Sequence, residues 1–164
     1  MVSSINTKEI IMKKYLSRFM LCFAALVTTV ASAHEYTTNS IRIDHPWSRE
    51  APPNATVIAG FFQLKNQSTR DDFLISASTP IAERVEIHQH DMSDGVMKMK
   101  KIDNVRVGTM KSVTFEPGGY HLMIFNPEQS FKQGERFPMT LEFRNAGKVD
   151  IELAVEANSH THSH

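Results

Sequence analysis

From Ile41 onward, apolar residues recur at every second position in short runs, and each run is cut by Pro, Gly, Asn or Asp. That period suits a half-buried strand, whose successive side chains point to opposite faces. No stretch repeats with the 3.6-residue period of an amphipathic helix. The chain is thereby restricted to an all-β fold. Candidate strands cover 40–44, 56–66, 73–78, 84–91, 96–102, 112–115, 120–126, 139–144 and 149–155. Between them lie Pro52-Pro53-Asn54, Pro117-Gly118-Gly119 and Asn145-Ala146-Gly147, residues suited to fixed or positive φ. Strands of this number and spacing predict a single-domain Greek-key β-sandwich rather than an α/β fold.

The first residues follow another pattern. Lys13, Lys14 and Arg18 precede an apolar run over 19–30, and Ala31-Ser32-Ala33 offers a small-x-small cleavage site. Residues 1–33 therefore read as a signal peptide, with the mature chain starting at His34. The apolar run is well short of the roughly 20 residues that cross a bilayer, so the mature protein is expected to be periplasmic and not membrane-spanning. The one cysteine, Cys22, lies inside this leader and follows Leu21, where a lipoprotein signal wants a small residue. The mature chain then has no thiol, which excludes disulfides, thiolate metal sites, blue-copper centres and cysteine nucleophiles. Equal numbers of acidic and basic residues make the whole chain neutral, but most charge lost with the leader is basic. A weakly acidic mature protein is a poor partner for nucleic acid.

All eight histidines lie in the mature part. Alternation over residues 84–90 turns Val85 and Ile87 to the core, and His88 and His90 to the opposite face. The hairpin signal Asp94-Gly95 then leads into Val96-Met97-Lys98-Met99. A two-residue turn sets His90 opposite Met99, whereas a four-residue loop sets His88 opposite Met99 and His90 opposite Met97. In either register His88, His90, Met97 and Met99 share a face, and cross-strand neighbours stand only about 4.5–5.5 Å apart at Cβ. A second pair follows at Tyr120-His121-Leu122-Met123, where the same period groups His121 with Met123.

A methionine on a strand is ordinarily core filler, and a lone strand histidine is ordinarily a surface residue. Here Val85, Ile87 and Leu122 already supply the apolar face, so His and Met together occupy the other one. Imidazoles with thioethers form a soft, neutral set that suits Cu(I), whereas zinc rarely takes methionine and magnesium or calcium wants carboxylates. Such ligands also survive an oxidising compartment. The last residues, 156–164, lose their apolar members and end with His160, His162 and His164 alternating with Thr and Ser. This segment reads as a flexible tail whose imidazoles suit Cu(II).

His88, ten residues, Met99, twenty-one residues, then His121-Leu122-Met123 resembles the signature of the PCu(A)C-type periplasmic copper chaperones. His45-Pro46-Trp47-Ser48-Arg49, Ala51-Pro52-Pro53, residues 94–99 and residues 117–123 are also similar to that family, and the resemblance covers 41–155. It implies a cupredoxin-like fold for residues 34–155, with one Cu(I) held by His88, Met99, His121 and Met123. It further implies delivery to the Cu(A) site of the copper-receiving subunit of cytochrome c oxidase, alongside Sco-type thiol proteins. Where many members carry Met two residues after the first histidine, this chain has His90, a further candidate ligand.

These residues predict a carrier and not an enzyme, since chelation and ligand exchange need no catalytic base. The alternative is a copper buffer or resistance protein without a dedicated acceptor. Trp47 is expected to pack the first strand against the core, His45 to sit in a loop, and Lys98, Lys100 and Lys101 to line a solvated strand edge. Asn66-Gln67-Ser68 matches a glycosylation sequon that bacteria mostly ignore.

Overall fold

The alternating runs become strands in a computed structural model that describes residues 35–38, 40–93 and 96–157, leaving aside the side chains of 92, 93, 96 and 97. The leader, Asp94-Gly95 and the tail with His160, His162 and His164 lie outside the described residues. Eleven strands form: β1 Glu35–Thr37, β2 Ile41–Arg49, β3 Val57–Asn66, β4 Asp72–Ser78, β5 Ala82–Ser93, β6 Val96–Lys101, β7 Val105–Val107, β8 Ser112–Phe115, β9 Tyr120–Pro127, β10 Arg136–Phe143 and β11 Gly147–Glu156. The described residues contain no helix, and therefore none long and apolar enough to cross a membrane. All nine expected runs are found. The two three-residue strands, β1 and β7, were too short to show a period.

The strands form one hydrogen-bonded path, β6-β5-β9-β8-β3-β2-β11-β10-β4-β7, with β1 on β2 and a further pairing of β9 with β3. The path curls so that inward residues from both of its halves share one core, including Ile43, Leu64, Leu74, Leu122, Ile124, Leu141 and Leu153. Phe62 and Phe115 stack at its centre, 4.4 Å between ring centroids. Each such side chain gains about 1.5–3 kcal/mol by leaving water.

One irregularity changes what faces outward. Along β2, Asp44 pairs with Gln63 and Trp47 with Phe61, so three steps on β2 match two on β3. The extra residue is a β-bulge at His45-Pro46, where His45 adopts φ 47°. A one-residue insertion reverses parity. Trp47 therefore leaves the face of Ile41 and Ile43 and lies outward against Phe61, 4.6 Å between centroids. Both expectations for this segment are corrected: Trp47 is absent from the main core cluster, and His45 belongs to a strand. His45 stacks beside Trp47 and its Nε2 lies 2.6 Å from Glu156 Oε1.

Two buried polar residues lock the loops. Asn66 uses its full hydrogen-bonding capacity, donating from Nδ2 to Arg70 and Val107 carbonyls and accepting at Oδ1 from the Ser68 N–H and hydroxyl. The amide of the glycosylation sequon is thus a structural group. Asp72 is 2% exposed. Its Oδ1 accepts from the N–H groups of Phe73 and Asn145, and its Oδ2 from that of Ala146, which fixes the β10–β11 turn against β4. We expect Asp72→Ala, which strands these donors, to cost about 2–4 kcal/mol in urea unfolding. Asp72→Asn, which keeps one acceptor oxygen, should lose clearly less.

Candidate metal centre

The core face of β9 holds Leu122 and Ile124, both fully buried, so period two commits His121 and Met123 to the other side. On β5, Ile87 is buried among the core residues, which turns Glu86, His88 and His90 outward. The register joins these strands with His88 opposite His121 and Glu86 opposite Met123. On the other flank of β5, His90 pairs with Met99, Met92 with Met97 and Ser93 with Val96. Of the two hairpin registers open from sequence, the two-residue turn is therefore the one adopted. The four expected ligands, His88, Met99, His121 and Met123, come from three strands and thus share one outward face with the further candidate His90. Met97 lies one row beyond Met99 on β6, but its side chain is outside the described residues.

A cleft of roughly 270 Å³ opens on this face, and His90, Met99, His121 and Met123 form part of its wall. Much of the remainder is apolar, contributed by Val57, Ala59, Phe61 and Pro117. His88 is not in that wall and sits beside it, its ring centroid 5.9 Å from that of His121. The His90 ring is closer, at 5.0 Å. Met99 is 57% exposed on the edge strand β6, while His121 is 5% exposed, so the site runs from a buried imidazole to a solvent-facing thioether. Lys98, Lys100 and Lys101 are exposed along the same edge, as expected.

Hydrogen bonds select which ring nitrogens stay free. His121 Nδ1 lies 3.1 Å from the Gly119 carbonyl, which can only accept, so Nδ1 carries the proton and Nε2 keeps its lone pair. The turn that aims this carbonyl is Pro117-Gly118-Gly119, where Gly118 takes φ 85°, a value open to glycine at little cost. The same carbonyl accepts from the His90 backbone N–H at 3.2 Å. His88 Nε2 lies 2.9 Å from Glu86 Oε2. The bond to His88, followed by that to Lys101, holds the Glu86 carboxyl down at about 2, so it is ionised and accepts only. His88 Nε2 is then the donor, and its Nδ1 is left buried without a partner. A carboxylate behind an imidazole is the usual device for orienting a metal-ligating histidine. Glu86 was missed in the sequence, although its place two residues before His88 on the same strand face was a readable signal.

Among the described residues no three His, Cys, Asp or Glu side chains are arranged to hold a metal, so a centre here depends on thioethers. The free Nε2 of His121, an orphaned nitrogen of His88 or His90 and the neighbouring methionines make a donor set that fits a soft monovalent ion.

Burial, with His90 and His88 nearby, pushes the His121 pKa below its ordinary 6.5 despite the opposing bond to Gly119. The folded protein thus disfavours protonated His121, and the unfolded chain takes up the proton first as pH falls. This contribution is intact above about 6.5 and is lost as pH drops below that value. The urea midpoint of the wild-type apoprotein should fall between pH 7.5 and pH 5.5, and His121→Gln should show a smaller fall.

Residues 41–155 match the model of a lipoprotein family described as LpqE-like. The copper-bound PCuAC domain from PmoF2 is 30% identical with a TM-score of 0.66, the match covering 76% of this chain and 98% of that domain. The solution structure of apo-DR1885 from Deinococcus radiodurans shares the fold at 21% identity and TM-score 0.59, over 82% of this chain and 91% of that one. The uncharacterized protein RP573 of Rickettsia prowazekii (strain Madrid E) is 28% identical over 108 residues, which span 63% of this chain and 60% of that protein. With family model, register and outward His/Met face in agreement, the chain belongs to the LpqE-like family and its β-domain is of the PCu(A)C type.

Proposed function

We propose that this protein is a periplasmic copper carrier that binds one Cu(I) through His88, Met99, His121 and Met123 and passes it to another protein. The observation that carries the reading is His121, a nearly buried imidazole with its Nδ1–H tied to a carbonyl, beside Met99 and Met123 in an apolar cleft. That pairing of neutral nitrogen with thioether suits Cu(I) and gives zinc few good ligands. The copper-bound PmoF2 domain supports copper as the cargo. The family's lipoprotein description and the leader at 1–33 support an exported, cell-envelope protein.

Transfer follows from where the ligands stand. Met99 is exposed on an edge strand, so an incoming thiolate or imidazole can reach the ion there before the inner ligands let go. No proton has to move, and no catalytic base is involved. The resemblance to the PCu(A)C-type chaperones implies the copper-receiving subunit of cytochrome c oxidase as the acceptor, with Sco-type thiol proteins as co-workers. Met123→Leu keeps volume and polarity while removing sulfur. It should weaken Cu(I) binding at least tenfold in a competitive chelator titration, about 1.4 kcal/mol, with the fold intact. In cells lacking the gene, oxidase activity at limiting copper should fall and be restored by wild type but not by Met123→Leu. Normal oxidase activity with heightened sensitivity to excess copper would instead identify a buffer.

The tail histidines His160, His162 and His164 are proposed to collect Cu(II), since they offer imidazoles without thioethers. The chain emerges for this purpose from β11 at Glu156, which pairs with Arg49 two strands from the one that carries Met123. A protein truncated after Val155 should keep its one Cu(I) and bind fewer equivalents of Cu(II) at neutral pH. Equal Cu(II) stoichiometry in the two forms would remove the tail from copper capture.

A further inference from the structure

We infer that His90 is itself a copper ligand of the cleft, pairing with His121 there in the place that the copper reading above gives to His88; the inference rests on that reading. The β5–β6 register sets His90, not His88, directly across from Met99. The cleft wall that contains Met99, His121 and Met123 includes His90 and leaves His88 out. Ring separation agrees, since His90 approaches His121 to 5.0 Å against 5.9 Å for His88.

The free valence of the ring points the same way. His90 Nδ1 is buried and has no hydrogen-bond partner. An orphaned buried nitrogen ordinarily costs about 1–3 kcal/mol, and a metal bond removes that cost. His88 shares this feature at Nδ1, but its other nitrogen is held by Glu86, which anchors the ring beside the cleft. Among the described residues no side chain bonds to the His90 ring in this way. Its backbone, by contrast, is pinned by the Gly119 carbonyl that also orients His121, so one acceptor sets the spacing of the two imidazoles.

His90 also borders a second opening, a groove of roughly 390 Å³ lined by Gln89, Thr114, Glu116 and Tyr120 among others. Among the described residues it is the one expected ligand that lines both openings. His88 and His90 stand two residues apart on one strand face, so the ion can lean on either while His121 and Met123 remain bound.

The test uses the mature chain with its histidine ring nitrogens followed by ¹⁵N NMR as one equivalent of Cu(I) is added under anaerobic conditions. The ring signals of His90 and His121 should both move, and His90→Gln should lose at least tenfold in Cu(I) affinity by chelator competition. Unmoved His90 signals beside shifted His121 signals, with wild-type affinity in His90→Gln, would overturn the assignment of His90 alone. If Cu(I) binds without moving the His121 ring signals, the cleft is not the copper site and the broader reading fails with it. The ring measurement needs no substitution, so it stands even if His90→Gln folds poorly.

Discussion

Burying Leu122, Ile124 and Ile87 is the constraint on which the rest of the site depends. Each is fully or almost fully buried, and each lies on a strand whose neighbouring residues must point the other way. Once the core claims these three, His88, His90, His121 and Met123 have no inward option. The His/Met face is therefore a by-product of core packing, held by many hydrophobic contacts rather than by the polar residues themselves. A site built on paired strands is held more tightly than one hung on loops, because its backbone moves only if the ladder breaks. The register pairs Glu86 to Met123, Ile87 to Leu122 and His88 to His121, so a one-residue slip of β5 would bury the imidazoles and expose Ile87.

On that scaffold two acceptors do the finer work. The Gly119 carbonyl and the Glu86 carboxylate can receive hydrogen bonds and cannot donate them, so each decides which nitrogen of its imidazole stays unprotonated. Glu86 is itself steadied by Lys101 at 3.1 Å and by Arg84 at 3.4 Å, and Arg84 lies 4.0 Å above the Phe125 ring. Orientation thus passes from a cation–π contact through the Arg84–Glu86 ion pair and a hydrogen bond to His88. Exposed pairs of this kind add little to stability, and their value here is geometric.

Much of this was legible because β-structure writes a period of two into the chain. The nine longer strands, the positive-φ positions at Asn54, Gly118 and Gly147, and the shared face of the histidines and methionines all follow from alternation and turn chemistry. What alternation cannot show is an insertion. The bulge at His45-Pro46 sends Trp47 outward, and a parity count through residues 41–47 gives the wrong face for that reason alone. Hairpin register was undecided for a related reason: Asp94-Gly95 marks a turn without fixing how many residues it takes. Bonds set by tertiary approach, such as Asp72 to the Asn145 and Ala146 amides, leave no local trace at all.

The displaced Trp47 bears on the choice of ion. It covers the outer flank of Phe61, and Phe61 is a wall of the cleft, 4% exposed though it lies on the outward side of the sheet. With Val57, Ala59 and Pro117 the surroundings of the His and Met side chains are mainly apolar, and among the described residues no carboxylate is in the cleft wall. The cost of placing an ion in a weakly polar medium grows with the square of its charge, so a monovalent ion on neutral ligands pays about a quarter of what a divalent one does. Imidazole alone binds divalent copper and zinc well, and thioether alone discriminates by softness. In this chain the bulge, the aromatic pair and the thioethers act in the same direction: the apolar setting around His121 disfavours divalent ions on charge, and as proposed ligands Met99 and Met123 would disfavour them on ligand type.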